Sequence, residues 1–197
     1  MKRMLILLGL ALLAACAPAP TATPIPPTVT NAPLDASSGA LEALLGSGVP
    51  PDDRPAWHSL PLTDVLTGTA FTLTSYAGKT IYVQPMAVGC AECLGQLEQV
   101  RAAQQRLMPE QYVFIALSAD PAAALSAYAT EHGFDWLFVS ASPDLFADLL
   151  ATYGADVTSL TNTPHFIISP LGAISNLSTG PHSVDQLIAE LTAAAGA

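Results

Sequence analysis

Residues 80–93 read TIYVQPMAVGCAEC, and the fold turns on how this stretch is read. Thr80 to Val88 is a long apolar run suited to a central strand, and Gly89 ends it. Two cysteines follow at C-x-x-C spacing. The next residues, LGQLEQVRAAQQRLM, repeat Leu94, Leu97, Val100 and Leu107 at helical intervals. The pattern predicts a helix over Cys93–Met108, stopped by Pro109. A cysteine where a buried strand turns into a helix meets free N–H groups and the positive end of the macrodipole, both of which stabilise a thiolate. A second cysteine one turn further on can attack a mixed disulfide formed by the first, so Cys90 and Cys93 form a pair able to cycle between dithiol and disulfide.

Outward from this segment, strand-like and helix-like patterns alternate. TAFTLT (Thr69–Thr74) reads as a half-buried strand and YVFIALS (Tyr112–Ser118) as a continuous apolar one. Asp120 and Pro121 supply a cap and a first-turn proline for a helix over Ala122–His132, followed by a strand at Trp136–Ser140. Pro143–Tyr153 reads as a helix ending at Gly154. Phe166–Ser169 and Ala173–Leu177 read as a hairpin joined at PLG, and SVDQ (Ser183–Gln186) as the capping box of a last helix. This order predicts an α/β fold whose central sheet is part parallel and part antiparallel, with helices on both faces. The compact domain is expected over 56–197.

The N-terminal segment carries a different signal. MKRMLILLGLALLAAC has two basic residues, an apolar run too short to span a membrane, and small residues before Cys16. It reads as an export signal over 1–15, and Leu13-Ala14-Ala15-Cys16 resembles the lipobox of bacterial lipoproteins, which implies lipidation of Cys16. Residues 16–55 then form a Pro/Thr-rich tether with a short helix at Ser37–Gly48. The whole chain has 6 basic and 16 acidic side chains. Removing Lys2 and Arg3 leaves 4 − 16, a net charge of −12. With no basic cluster left, nucleic acid is an improbable partner. Cys90 and Cys93 remain as a pair in an exported compartment where disulfides persist.

GKTIYVQPMAVGCAEC resembles the strand-and-C-x-x-C segment of the thioredoxin superfamily, in particular its exported, membrane-anchored thiol–disulfide oxidoreductases of the TlpA/ResA type. FTLTSYAGK (Phe71–Lys79) is similar to that branch's entry to the fold, and TNTPHFIISPLGAI (Thr161–Ile174) to its proline-and-strand segment. The likeness runs over about Leu62 to Leu191. It implies a three-layer α/β/α sandwich with a mixed sheet and a catalytic Cys90–Cys93 pair that exchanges disulfides with exported proteins. It also implies a cis bond at Thr163–Pro164, which would aim the Thr163 backbone at a docked substrate chain. Electrons would come from a membrane thiol donor, and maturation of cytochrome c or copper sites would be the setting. No dissociable cofactor is implied.

Departures from the pattern carry their own chemistry. Gly89 replaces the usual aromatic, and Gln84 stands where an acid or amide is common. Gln84 cannot take a proton, so deprotonating Cys93 would need water or another group. Pro85 removes a ladder donor, which places a bulge or an edge there. Glu92 sets a negative charge beside Cys90, and by charge alone raises its pKa and makes the pair more reducing.

The same residues admit other chemistries. His165 follows Pro164 and opens a Sco-like copper site made of Cys90, Cys93 and His165. Sco-like proteins, however, usually space their cysteines C-x-x-x-C. Structural zinc would need four ligands, and the remaining candidates are His58, His132, His165 and His182. A lipoprotein scaffold with a purely structural disulfide gains little from so short a loop. Peroxiredoxin chemistry uses a threonine three residues before the reactive cysteine, where this chain has Ala87. Met86, Trp57 and Trp136 read as packing residues.

Overall fold

The computed structural model describes residues 53–196. The export signal, Cys16, the tether and the helix expected at Ser37–Gly48 lie outside them. A short hairpin, β1 (Leu62–Thr63) and β2 (Ala70–Phe71), precedes β3 (Thr80–Met86), α1 (Ala91–Gln104) and β4 (Tyr112–Ser118). Then follow α2 (Ala122–Glu131), β5 (Leu137–Ser140), α3 (Pro143–Tyr153), β6 (Phe166–Ile168) and α4 (Val184–Ala195). The main sheet runs β5-β4-β3-β6, with β3, β4 and β5 parallel and β6 antiparallel.

Every residue of β3 and β4 is buried, because helices cover both faces. Alternation along the strands sorts the core into two layers. Tyr82, Met86, Phe114 and Phe138 pack with Leu97 and Val100 of α1, Leu125 of α2, and Leu187 and Leu191 of α4. Ile81, Val83, Ile115, Leu117 and Val139 pack on the other side with Leu145 and Leu149 of α3 and with Trp57 and Leu73. The three-layer α/β/α sandwich with a mixed sheet is therefore the observed architecture.

Local side-chain chemistry moves several boundaries. The strand expected at Thr69–Thr74 is cut to two residues because the Thr72 side chain accepts from the Ser75 N–H and Ser75 reciprocates, which turns the chain into a 3-10 segment, Leu73–Tyr76. Helix α1 starts two residues before its expected first residue because Cys90 itself caps it. It ends at Gln104, where tighter turns at Arg106 and Leu107 take over. Asp120 does not cap α2, which begins after Pro121 without a side-chain cap. Its carboxylate instead accepts from the Val88 N–H at 2.7 Å and from Ser118 Oγ at 2.8 Å. Ser183 and Gln186 do form the capping box of α4.

The hairpin at PLG closes through Gly172, whose φ of 87° suits glycine, and its N–H donates to Ser169. Its return arm is reduced to isolated bridges at Ile174 and Ser178. Ser175 Oγ, rather than a carbonyl, accepts from the Ile167 N–H, so the ladder is irregular there. Pro85 fits because β6 stops pairing at Val83, leaving β3 with β4 alone beyond that point.

Asp64, which no local motif singles out, fastens the β1–β2 hairpin to the edge of the sheet. Buried at 3% exposure, it accepts from the N–H groups of Leu66, Thr67 and Phe138 and from Thr67 Oγ1. Asp64→Ala should lower stability by about 2–4 kcal/mol through the donors it orphans, read as a shift in the urea midpoint. His58 is buried against Trp57, and burial, with the Arg54 charge adding to it, lowers its pKa from 6.5 to about 4. The unfolded ring protonates around 6.5 and the folded ring only near 4, so between these values the unfolded chain binds more protons and stability falls as pH falls. Urea midpoints measured from pH 6.5 to 4 should decline, and His58→Gln should flatten that decline.

Candidate active site

Strand β3 delivers the chain to a turn, Ala87–Cys90, which Asp120 fixes from β4's end through the Val88 N–H. Gly89 adopts φ 83°, a conformation that disfavours any side chain, so the aromatic usual in the resembling proteins would be strained here. Cys90 is the N-cap of α1 and half-buried, while Cys93, one turn in, is 0% exposed. The two are joined as a disulfide with a Cα–Cα distance of 5.2 Å. The Cys93 N–H donates to Cys90 Sγ at 3.1 Å, so the sulfur takes the place a serine or aspartate oxygen usually fills.

Opposite the sulfurs lies the 3-10 turn Leu160–Asn162. The Leu160 carbonyl oxygen stands 3.7 Å from Cys93 Sγ and 3.9 Å from Cys90 Sγ. A disulfide has no hydrogen to donate to it, whereas a thiol does. Thr163 closes this turn in the left-handed region, φ 42° and ψ 55°, which is costly for a β-branched residue. It is 2% exposed, and its Oγ1 has no hydrogen-bond partner.

The cis bond expected at Thr163–Pro164 is absent: among the described residues every peptide bond is trans. The left-handed Thr163 redirects the chain instead, held by its own N–H on the Leu160 carbonyl and by the Gly180 N–H on the Asn162 carbonyl. Pro164 is buried at the start of the β6 segment.

Behind Cys93 runs a buried polar chain. Gln84 Nε2 donates to the Cys93 carbonyl at 3.5 Å, and Gln84 Oε1 accepts from the Tyr82 hydroxyl at 3.0 Å. Burial first, then the Glu190 charge, pushes the Tyr82 phenol well above its ordinary value of 10, so it keeps its proton and donates it to Gln84. The Tyr82 ring lies tilted against His165, ring centroids 5.0 Å apart. His165 lies within hydrogen-bond reach of Glu190, and burial lowers its pKa against the opposing pull of that carboxylate.

The structure thus brings Cys90, Cys93, Glu92 and Gln84 to one place, with Glu92 exposed in the first turn of α1 and Gln84 buried. His165 does not join the cysteines: the group of potential metal ligands that includes it among the described residues is His165, His182 and Glu190. The His165 ring pairs with Glu190 on α4, its Nε2 2.9 Å from Oε2. Sequence reasoning missed Leu160, Tyr82, Glu190 and Gln96, a buried residue of α1 whose side chain exchanges two hydrogen bonds with the His182 backbone. Only Gln96 left a trace, as a polar residue on the face of α1 that carries Cys93, Leu97 and Val100.

No known protein-family profile and no curated protein matches this chain. Solved structures do. A thiol:disulfide interchange protein of the thioredoxin family from Chlorobium tepidum TLS superposes with a TM-score of 0.60 at 18% identity, covering 72% of this chain and 96% of the other. The thioredoxin domain of a thiol-disulfide oxidoreductase from Bacteroides vulgatus gives 0.56 at 17%, covering 71% and 96%. A PrxQ mutant from Xylella fastidiosa gives 0.55 at 14%, covering 70% and 91%.

Glu92→Gln removes the negative charge beside Cys90 at the helix terminus. It should stabilise the thiolate and shift the equilibrium with glutathione toward the dithiol by about two- to threefold, measured by quantifying reduced and oxidised protein in glutathione buffers. No shift, or a shift toward the disulfide, would reject the charge argument. Between β3, the capped turn and α1, the described residues hold a cysteine disulfide in a thioredoxin-like fold.

Proposed function

We propose that this chain is an extracytoplasmic thiol–disulfide oxidoreductase, lipid-anchored through Cys16, that reduces disulfides in exported proteins. The observation that carries the reading is the asymmetry of the pair: Cys90 is half-buried at a helix N-terminus, and Cys93 is buried one turn behind it. The export signal and lipobox-like residues 1–16 support the location, and the acidic chain fits a protein partner better than a nucleic acid.

In the reducing direction the Cys90 thiolate attacks one sulfur of a substrate disulfide. The Cys90–substrate bond forms as the substrate's own S–S bond breaks, and the second substrate sulfur leaves as a thiolate and takes a proton. Cys93, deprotonated, then attacks Cys90 Sγ and releases the first substrate thiol, which leaves the substrate reduced and the Cys90–Cys93 disulfide formed. A membrane thiol donor restores the dithiol. Gln84 and the Tyr82 phenol cannot accept the Cys93 proton, so water or the departing substrate thiolate takes it. Thr163 and Pro164 shape the wall against which the substrate chain docks, and apocytochromes c or copper-site precursors are the substrate class implied by the resembling proteins.

Peroxide reduction fits less well, despite the likeness to PrxQ, because Ala87 offers no hydroxyl three residues before Cys90. A purely structural disulfide is disfavoured by the partial exposure of Cys90 at a helix terminus.

Cys93→Ser leaves Cys90 without a resolving partner. Expressed in the exported compartment, this variant should accumulate covalent adducts on a non-reducing gel that vanish with dithiothreitol and are absent from the double variant Cys90→Ser, Cys93→Ser. A Cys93→Ser chain that is folded and exported yet forms no adduct would overturn the reading.

A further inference from the structure

The cluster at the C-terminal side of the fold has a chemistry the disulfide does not use. His165 on the β6 segment, His182 in the loop before α4, and Glu190 on α4 each present one ligand atom, and all three atoms lie within 4.8 Å of one another. His165 Nε2 is 2.9 Å from Glu190 Oε2, and His182 Nε2 is 3.1 Å from Glu190 Oε1. From these contacts we infer that His165, His182 and Glu190 form a binding site for a divalent transition metal of the zinc type.

Hydrogen-bond bookkeeping carries the inference. His182 Nδ1 lies 2.8 Å from the Gly180 carbonyl, an acceptor only, so Nδ1 carries the hydrogen. In the neutral ring Nε2 then presents a lone pair, with the Ser178 hydroxyl 3.3 Å away and the Glu190 carboxylate at 3.1 Å. An imidazole lone pair facing a carboxylate oxygen is repulsive unless something positive lies between them. A backbone carbonyl that holds the far nitrogen of an imidazole is also the usual device for orienting a metal-ligating histidine. His165 adds a second imidazole nitrogen at the same carboxylate, on a side chain that is 0% exposed.

The donors select the metal class. Two imidazoles and a carboxylate suit zinc, copper(II) or nickel(II) rather than calcium or magnesium, and with three protein ligands a fourth position stays open. Metal–ligand bonds of about 2.0–2.2 Å in tetrahedral geometry separate neighbouring ligand atoms by roughly 3.3–3.6 Å, so the two contacts to the Glu190 oxygens must open slightly while the widest separation in the group, up to 4.8 Å, must close. Glu190 is the member able to give, with 34% of its side chain exposed. His182, alone of the three, lines a cavity of about 520 Å³ together with Glu92, Gln96 and Pro181. Two reciprocal hydrogen bonds between the Gln96 side chain and the His182 backbone hold that loop against α1. No sulfur takes part, so the site is independent of the redox state of the cysteines and of the proposed exchange reaction.

The test titrates the full chain, with the cysteines kept as their disulfide, with Zn²⁺ by calorimetry and with Co²⁺ by visible absorption. One equivalent of Zn²⁺ should bind, and Co²⁺ should give ligand-field bands without the sulfur-to-cobalt charge-transfer band. Both His182→Gln and Glu190→Gln should weaken Zn²⁺ binding more than about tenfold, while the double variant Cys90→Ser, Cys93→Ser should bind as the wild type does. Circular dichroism on each variant shows whether the fold is kept. A variant that has lost its fold is replaced by Glu190→Asp, which keeps the charge, shortens the reach and should weaken binding in the same sense. A wild-type chain that binds no Zn²⁺, in which case a proton alone occupies the gap, overturns the proposal. So does binding that survives in folded His182→Gln or disappears with the cysteines.

Discussion

The Cys93 N–H directed at Cys90 Sγ is the contact on which the arrangement of the site depends. A helix N-terminus leaves donors without partners, and in most proteins an oxygen side chain satisfies one of them. Here the partner is sulfur, at 3.1 Å. That single substitution places one cysteine at the cap and the other a turn deeper, and it sets where α1 begins. The apolar face of α1 then follows in register, with Leu97 and Val100 against Tyr82, Phe114 and Phe138. Were the cap elsewhere, the same residues would present a different face to the sheet.

The turn leading into that cap is held just as specifically. Asp120 reaches from the end of β4 to the Val88 N–H, and Gly89 takes a backbone conformation that side chains avoid. Arg101 anchors the far end of α1, lying 4.4 Å over the Phe134 ring and donating to the His132 carbonyl. The helix bearing the cysteines is thus pinned at both ends to neighbouring elements.

Period and punctuation made the core elements legible. Continuous apolar runs marked β3 and β4, Gly154 and the SVDQ box marked helix ends, and C-x-x-C at the head of a helical repeat marked the cysteine site. What stayed hidden depends on contacts between residues distant in sequence. Asp120 looks like a helix cap by local rules, yet a backbone N–H 32 residues earlier claims its carboxylate. The Thr163–Pro164 bond looked cis by resemblance, but a left-handed Thr163 makes the bend with a trans bond. His165 looked like a neighbour of the cysteines because it follows Pro164. In a strand successive side chains alternate sides, and the partner that decides its direction, Glu190, sits 25 residues later on another element.

The Leu160 carbonyl, poised between two sulfurs, makes the oxidised and reduced forms of this protein chemically unlike at one surface turn. In the disulfide this oxygen faces atoms with nothing to offer it, and once a thiol appears it gains a donor. Leu160 also forms part of the wall of an apolar furrow with Met86, Pro121 and Phe146. The same residue therefore links the chemistry of the sulfurs to the wall of that furrow.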